Sequence, residues 1–208
     1  HAWSLNLLVA GMAFFAYWKN DFFESKLAFP FIIASIPAAL IGGFLEIDDG
    51  IYDTLLSITL VFAAWKLYTT KSQNSKDLFS NPPPIYLSLI IGAIIGLLSG
   101  MIGVGGGIFL SPLILLFGWG DPKTTAGVAA LFIWVNSAAG LIGSSISGQL
   151  VIDFGVLAPF AIAVLIGGYL GSRFGSEKFS QNTVRMTLVS VMLIAAIRQI
   201  LELAGIWF

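Results

Sequence analysis

The chain has 208 residues, of which 57% are hydrophobic and 10% are charged, with a formal net charge of −1 and a mean hydropathy of +0.92. Soluble domains carry about 25% charged residues, so the composition excludes an ordinary soluble protein and indicates a polytopic helical membrane protein. The chain has no cysteine and its one histidine is His1, which excludes disulfides, thiol catalysis and a histidine metal cluster. We therefore expect no cofactor, no metal and no nucleic-acid partner.

Eight apolar segments follow one another along the chain. None alternates with the period of two that a membrane barrel requires, so all are predicted to be helices. The fifth segment is too short to cross a bilayer unaided. In chain order, the predicted segments are residues 3–18, 27–45, 51–70, 84–102, 106–118, 123–147, 155–174 and 184–204.

The polar connections between these segments predict the topology. Connections 45–53 and 148–154 carry no basic residue and are expected outside the cell. Basic residues concentrate in three other connections, which the positive-inside rule assigns to the cytoplasm: 19–26, 66–83 and 172–185.

The longest polar connection ends in a run of three prolines and divides the chain into two parts. We expect a three-helix remainder of a first repeat over residues 1–70, a cytoplasmic linker over 71–83, and a second repeat over 84–208. The first part has no counterpart of residues 84–130, which predicts a further glycine-rich element before His1.

The two parts share a pattern: an asparagine, a small apolar helix, a polar turn with an aspartate, a proline in the next helix, and a glycine pair. This pattern predicts an internal duplication. The turn after the first asparagine is basic and the turn after the second is not, which favours inverted copies over parallel copies, the alternative. The corresponding residues are Asn6 and Asn136, Pro30 and Pro159, and Gly42–Gly43 and Gly167–Gly168.

Four glycines, Gly103, Gly105, Gly106 and Gly107, interrupt the most apolar part of the chain. Glycine is about 1 kcal/mol less favourable than alanine inside a helix. Non-helical backbone at membrane depth persists only where protein buries it or where it lines a wet cavity. We therefore predict a broken helix or re-entrant element whose N–H groups and helix N-terminus face an anion. The alternative is a packing break, in which the glycines let helices touch.

Other small and polar residues have structural interpretations beside functional ones. Asn6 and Asn136 either line the anion site or link helices, and Thr124 and Thr125 are second-rank site candidates. The tryptophans are predicted to be interfacial anchors. No nucleophile, base and acid come together, so an enzyme is not expected. Three sets of small residues four apart are predicted to be helix-packing faces: Gly92, Gly96 and Gly100; Gly140, Ser144 and Gly148; Gly167, Gly171 and Gly175.

Residues 84–204, and more loosely residues 4–70, resemble the sulfite exporter TauE/SafE family of membrane permeases. The resemblance implies a permease of two related halves that moves sulfite, organosulfonates or other small sulfur-containing anions, several of them outward. The residues that carry it are Gly92, Gly96, Gly100, Gly103, Gly105–Gly107, Pro112, Leu113, Lys123, Ala126, Gly127, Gly167, Gly168 and Gly171.

We therefore expect an all-α, multi-pass protein of the cell membrane that works as a secondary transporter for a small anion. Its partners are the anionic substrate and the lipid bilayer, and the oligomeric state, including a homo-oligomer, stays open. A non-transporting membrane scaffold and a passive anion channel are the alternatives. The predicted substrate-binding residues are Gly103, Gly105, Gly106, Gly107, Asn136, Asn6, Thr124 and Thr125.

Overall fold

The computed structural model describes residues 2–45, 83–148 and 154–203. Within these residues the chain forms seven α-helices and no strand, which confirms the predicted all-α class. The helix predicted over 51–70 lies outside the described residues. The helices are α1 (Ala2–Lys19), α2 (Ser25–Phe44), α3 (Ile85–Ile102), α4 (Gly107–Leu116), α5 (Pro122–Ile146), α6 (Phe154–Arg173) and α7 (Gln181–Leu203), and a π-helical turn, Phe174–Lys178, follows α6.

Four stretches in the described part of the chain are long and apolar enough to cross a membrane. The short helix α4 forms where a segment too short to span was predicted. Helices α1 and α7 also form where predicted, but they are not among the four. The protein is thus a multi-pass membrane protein, with candidate spans Ser25–Phe44, Ile85–Ile102, Pro122–Ile146 and Ala158–Lys178.

Helices α2 and α3 are in close contact along the first predicted glycine face. A Cβ atom on any of its three glycines would overlap a carbonyl oxygen of α2. The contacts advance in the same direction along both helices, so α2 and α3 run parallel with their backbones touching, as small-residue faces allow. The contacting pairs are Gly92 with Phe31, Gly96 with Ser35, and Gly100 with Ala39.

In the third predicted glycine face, Gly175 contacts the Tyr17 hydroxyl group, whereas Gly167 and Gly171 do not pack closely. Among the described residues, no heavy atom lies within 4 Å of the Cβ positions of Gly167 and Gly171. Both glycines line an open groove of about 500 Å³ between α1 and α6. Gly148 also has no neighbour within 4 Å, and its φ of +76° places it in the left-handed turn that ends α5.

Helix α1 packs antiparallel to α5, because Trp3 contacts the Cβ position of Gly140 whereas Tyr17 contacts that of Gly127. The helices that carry Asn6 and Asn136 therefore run in opposite directions. This direction is the one expected of inverted copies, and the duplication itself stays a prediction.

Two of the basic connections meet at one end of the bundle. Asn20 Nδ2 donates to Ser176 Oγ at 3.2 Å, and Lys123 Nζ donates to the Ser176 carbonyl at 2.9 Å. The connections 19–26 and 172–185 thus lie on the same side of the membrane, as the positive-inside rule requires. We call this region the basic end.

Candidate functional site at the glycine break

The interruption between α3 and α4, residues 103–106, is built on left-handed glycines. Gly103, Gly105 and Gly106 have φ values of +80°, +78° and +76°, a region that side chains with a Cβ atom rarely adopt. Gly103 closes α3 by donating its N–H to the Ser99 carbonyl at 2.9 Å. The Gly106 carbonyl opens α4 by accepting the first N–H bonds of that helix. We call residues 103–106 with Gly107 the glycine break.

The break lies well inside the bundle. Its glycines contact α5 between Ala129 and Ser137, which is about 10 Å or more from either end of that helix at 1.5 Å per residue. Helix α4 then returns toward the basic end, where the Cβ position of Gly120 lies 3.2 Å from Ile114 and 3.4 Å from Leu27. The predicted glycine-broken, re-entrant element is therefore present.

The walls of the break leave no room for side chains on its glycines. A Cβ atom on Gly105 would lie 2.6 Å from Ile133 Cγ2 and 2.9 Å from Ser137 Oγ. One on Gly106 would lie 2.8 Å from Phe132 Cε1. Helix α5 thus packs directly against the backbone of the break.

Several backbone N–H groups at the break have no hydrogen-bond acceptor in the described structure. Among the described residues, the N–H groups of residues 104–108 donate to no protein acceptor. They lie at the N-terminus of α4, where the helix dipole is positive. Such an end attracts an anion.

Buried side-chain atoms around the break also lack hydrogen-bond partners. Five buried polar atoms have no hydrogen-bond partner in the described structure, and four of them lie near the break; burying such a group unpaired costs about 1–3 kcal/mol. Three of these four are donors, an indole N–H and two hydroxyl groups, and the fourth is an amide oxygen. The four are Trp3 Nε1, Ser99 Oγ, Ser137 Oγ and Asn136 Oδ1.

Three contacts show that these groups surround the break. Ser137 Oγ lies 2.9 Å from the Cβ position of Gly105, and Ser99 Cβ lies 3.1 Å from that of Gly106. Trp3 Nε1 lies 3.6 Å from the Cβ position of Gly103. The donors come from α1, α3 and α5 and converge on one stretch of backbone.

The two predicted asparagines lie near the break on two antiparallel helices, Asn6 on α1 and Asn136 on α5. Asn6 Nδ2 donates to the Gly103 carbonyl at 3.2 Å and so holds the break in place. Asn136 is fully buried and donates its Nδ2 to the Phe132 carbonyl at 2.9 Å. The structure thus brings the predicted residues Gly103, Gly105–Gly107, Asn6 and Asn136 together.

Thr124 and Thr125 are not brought to the break. They lie in the first turn of α5, about 6 Å or more along the helix before Ala129, the first α5 residue in contact with the break, and Thr125 Oγ1 lies 3.3 Å from the Cβ position of Gly120. Asp121 caps this turn, because its carboxylate accepts from the Thr124 N–H at 2.9 Å and from the Thr124 hydroxyl at 3.0 Å.

Two residues of the site were not singled out by the sequence pattern. Trp3 was predicted to be an interfacial anchor, yet its indole N–H is buried against Gly103 and Gly140. Ser99 lies between the ladder glycines Gly96 and Gly100, where its spacing gave no signal. A hydroxyl one turn before a glycine break in an apolar helix is the one clue the sequence offered.

No aspartate, glutamate, lysine, arginine or histidine occurs in residues 27–45, 83–120 or 124–148, which include the break and most of its walls. Within the described residues there is also no group of three or more metal-ligating side chains. Any charge at the break is therefore met by neutral hydrogen-bond donors and the α4 dipole.

Comparison with known proteins supplies the family. Residues 3–199 match the family model described as sulfite exporter TauE/SafE. A probable membrane transporter protein of Sinorhizobium fredii is 32% identical over 199 residues, which are 95% of this chain and 80% of that protein. A probable membrane transporter protein of Methanocaldococcus jannaschii is 27% identical over 169 residues, 77% of this chain and 62% of that protein. No solved structure matches the chain significantly. The chain is a membrane transporter that belongs to the sulfite exporter TauE/SafE family.

Proposed function

We propose that this transporter carries a small sulfur oxyanion such as sulfite or an organosulfonate, and that it exports it. One observation carries the proposal: three buried donors that have no partner among the described residues converge on the glycine break, beside the N–H groups at the N-terminus of α4. The family description supports the sulfur oxyanion and the outward direction.

Neutral donors suit a transporter better than a lysine or arginine would. An anion held by a buried cation forms a pair whose separation is costly, whereas neutral donors to an anion contribute about 1.5–3 kcal/mol each. A site of this kind binds the anion and still releases it. We infer a secondary transporter in which one part of the bundle rocks against the other.

The test is flux of radiolabelled sulfite into proteoliposomes that hold the full chain. Ser137→Ala removes a donor aimed at the break, and we expect saturable flux to fall about tenfold. Ser88→Ala is the matched control, because Ser88 is equally buried in α3 but already donates to the Pro84 carbonyl at 3.3 Å. Equal flux in the two variants would remove the break from the substrate path.

The scaffold alternative predicts a dry break. Because the chain has no cysteine, Val104→Cys introduces a single thiol at the break, where Val104 is half-buried. A transporter exposes this thiol to a membrane-impermeant reagent, and excess sulfite slows the reaction. Val128→Cys, in the fully buried core, is the unreactive control. An inert Val104→Cys together with no sulfite flux would favour the scaffold, and flux that never saturates would favour the channel.

A further inference from the structure

Asn136 adds to the glycine break a group that a site for a fully ionised oxyanion would not contain. Its Nδ2 donates to a backbone carbonyl, which can only accept, so the atom left unpartnered is the oxygen. An amide oxygen accepts hydrogen bonds and repels the oxygens of an anion. Its burial without a partner calls for a donor on the ligand.

Asn136 lies on the face of α5 that contacts the break. Phe132 and Gly140 lie one turn before and after Asn136 on the same face of α5. Phe132 contacts the Cβ position of Gly106, and the Cβ position of Gly140 lies 2.7 Å from Trp3 Nε1. Asn136 therefore lies between the break and the indole donor, and its neighbour Ser137 contacts Gly105.

The scarcity of charged side chains around the break also favours a ligand with a single charge. Helices α3 and α4 carry no charged side chain, α1 carries one only at its last residue, Lys19, and α2 only in its first turn. On α7, which also packs against α5, the charged residues with described side chains are Arg185, buried near the basic end, and Arg198, on the exposed surface. The cost of burying an ion grows with the square of its charge, so a site lined by neutral groups favours a single charge.

We propose that the break binds its oxyanion in the singly charged, hydroxyl-bearing form, with the hydroxyl donating to Asn136 Oδ1. For sulfite this form is hydrogensulfite. The proton then crosses on the substrate, and the lining of the break needs no titratable side chain to carry it. This inference rests on the proposed function and narrows it, because an organosulfonate has no such hydroxyl.

The experiment compares sulfite with methanesulfonate. Methanesulfonate has a single charge and no hydroxyl group over the whole pH range of the experiment. KM for each anion is measured in proteoliposomes of the full chain between about pH 5.5 and 8.5. We expect KM for total sulfite to rise about tenfold per pH unit above the pKa of hydrogensulfite, since only the protonated fraction binds. KM for methanesulfonate should not change with pH, and it should be higher than KM for hydrogensulfite. A KM for total sulfite that stays flat or falls as pH rises would overturn the inference while leaving the proposed function intact.

Asn136→Leu removes the acceptor and keeps the side-chain size. We expect KM for hydrogensulfite at the acidic end to rise about five- to thirtyfold, the value of one buried hydrogen bond, with KM for methanesulfonate changed less than about twofold. An equal rise for both anions would overturn the role of Asn136. If this variant does not fold, the pH dependence of KM in the wild-type protein still tests whether the break binds hydrogensulfite. Absence of saturable flux for both anions at every pH would overturn the proposed function itself.

Discussion

The polar groups at the start of α5 and those in its middle differ in their hydrogen bonding. At the basic end, Asp121, Lys123 and Thr124 are buried and each is hydrogen-bonded. In the middle, Asn136 Oδ1 and Ser137 Oγ are at least as buried and have no partner among the described residues. Both arrangements occur in one helix, so burial alone does not separate a structural polar residue from a binding one.

The largest effect should come from filling the break. Gly106→Ala combines a φ of +76° with a Cβ 2.8 Å from Phe132, so we expect about 2–5 kcal/mol less free energy of unfolding in detergent. Gly148→Ala is the control, because Gly148 has the same φ and no neighbour within 4 Å in the described structure. The control should lose only the backbone share, about 1–2 kcal/mol. Equal losses would mean that the close walls of the break contribute nothing.

Lys123→Met tests the paired half. It removes the bond to the Ser176 carbonyl and the contact with the Phe22 ring, 4.6 Å from Nζ, so we expect the free energy of unfolding to fall by about 1.5–3 kcal/mol. Flux per folded molecule should be unchanged. Lys178→Met is the control, since Lys178 lies exposed over the Phe174 ring at 4.9 Å and should lose less than about 1 kcal/mol. A loss of flux in Lys123→Met with stability retained would instead make Lys123 part of the anion path.

The smallest effect should come from Thr125, whose buried hydroxyl is the unpartnered exception at the basic end. Thr125→Val keeps the shape, so we expect the free energy of unfolding and the sulfite flux to change little, by less than about 0.5 kcal/mol for stability. Thr124→Val, which gives up the bond to Asp121, should cost about 1 kcal/mol. Reduced flux in Thr125→Val alone would return this residue to the site.

Local patterns in the sequence were enough to place the helices and the break. The apolar run 84–102 became Ile85–Ile102, and the glycine cluster became the left-handed connection, because hydropathy and glycine conformation act over neighbouring residues. The environment of the glycine ladders was not predictable from spacing. Gly96 contacts the backbone of α2, whereas Gly171 has no neighbour within 4 Å among the residues that the structure describes, although both lie in ladders with four-residue steps. Trp3 joins the site only because α1 packs antiparallel to α5, which is a property of the tertiary structure.

The backbone contact between α2 and α3 also limits how the transporter can move. Gly96 and Gly100 leave no free distance to the Ser35 and Ala39 carbonyls, so sliding or tilting these helices against each other would force backbone atoms together. In the rocking motion proposed above, we expect the pair to move as one unit together with the α3 side of the break. Within the described part of the chain, the groove between α1 and α6 beside Gly167 is where we expect such a displacement to be accommodated.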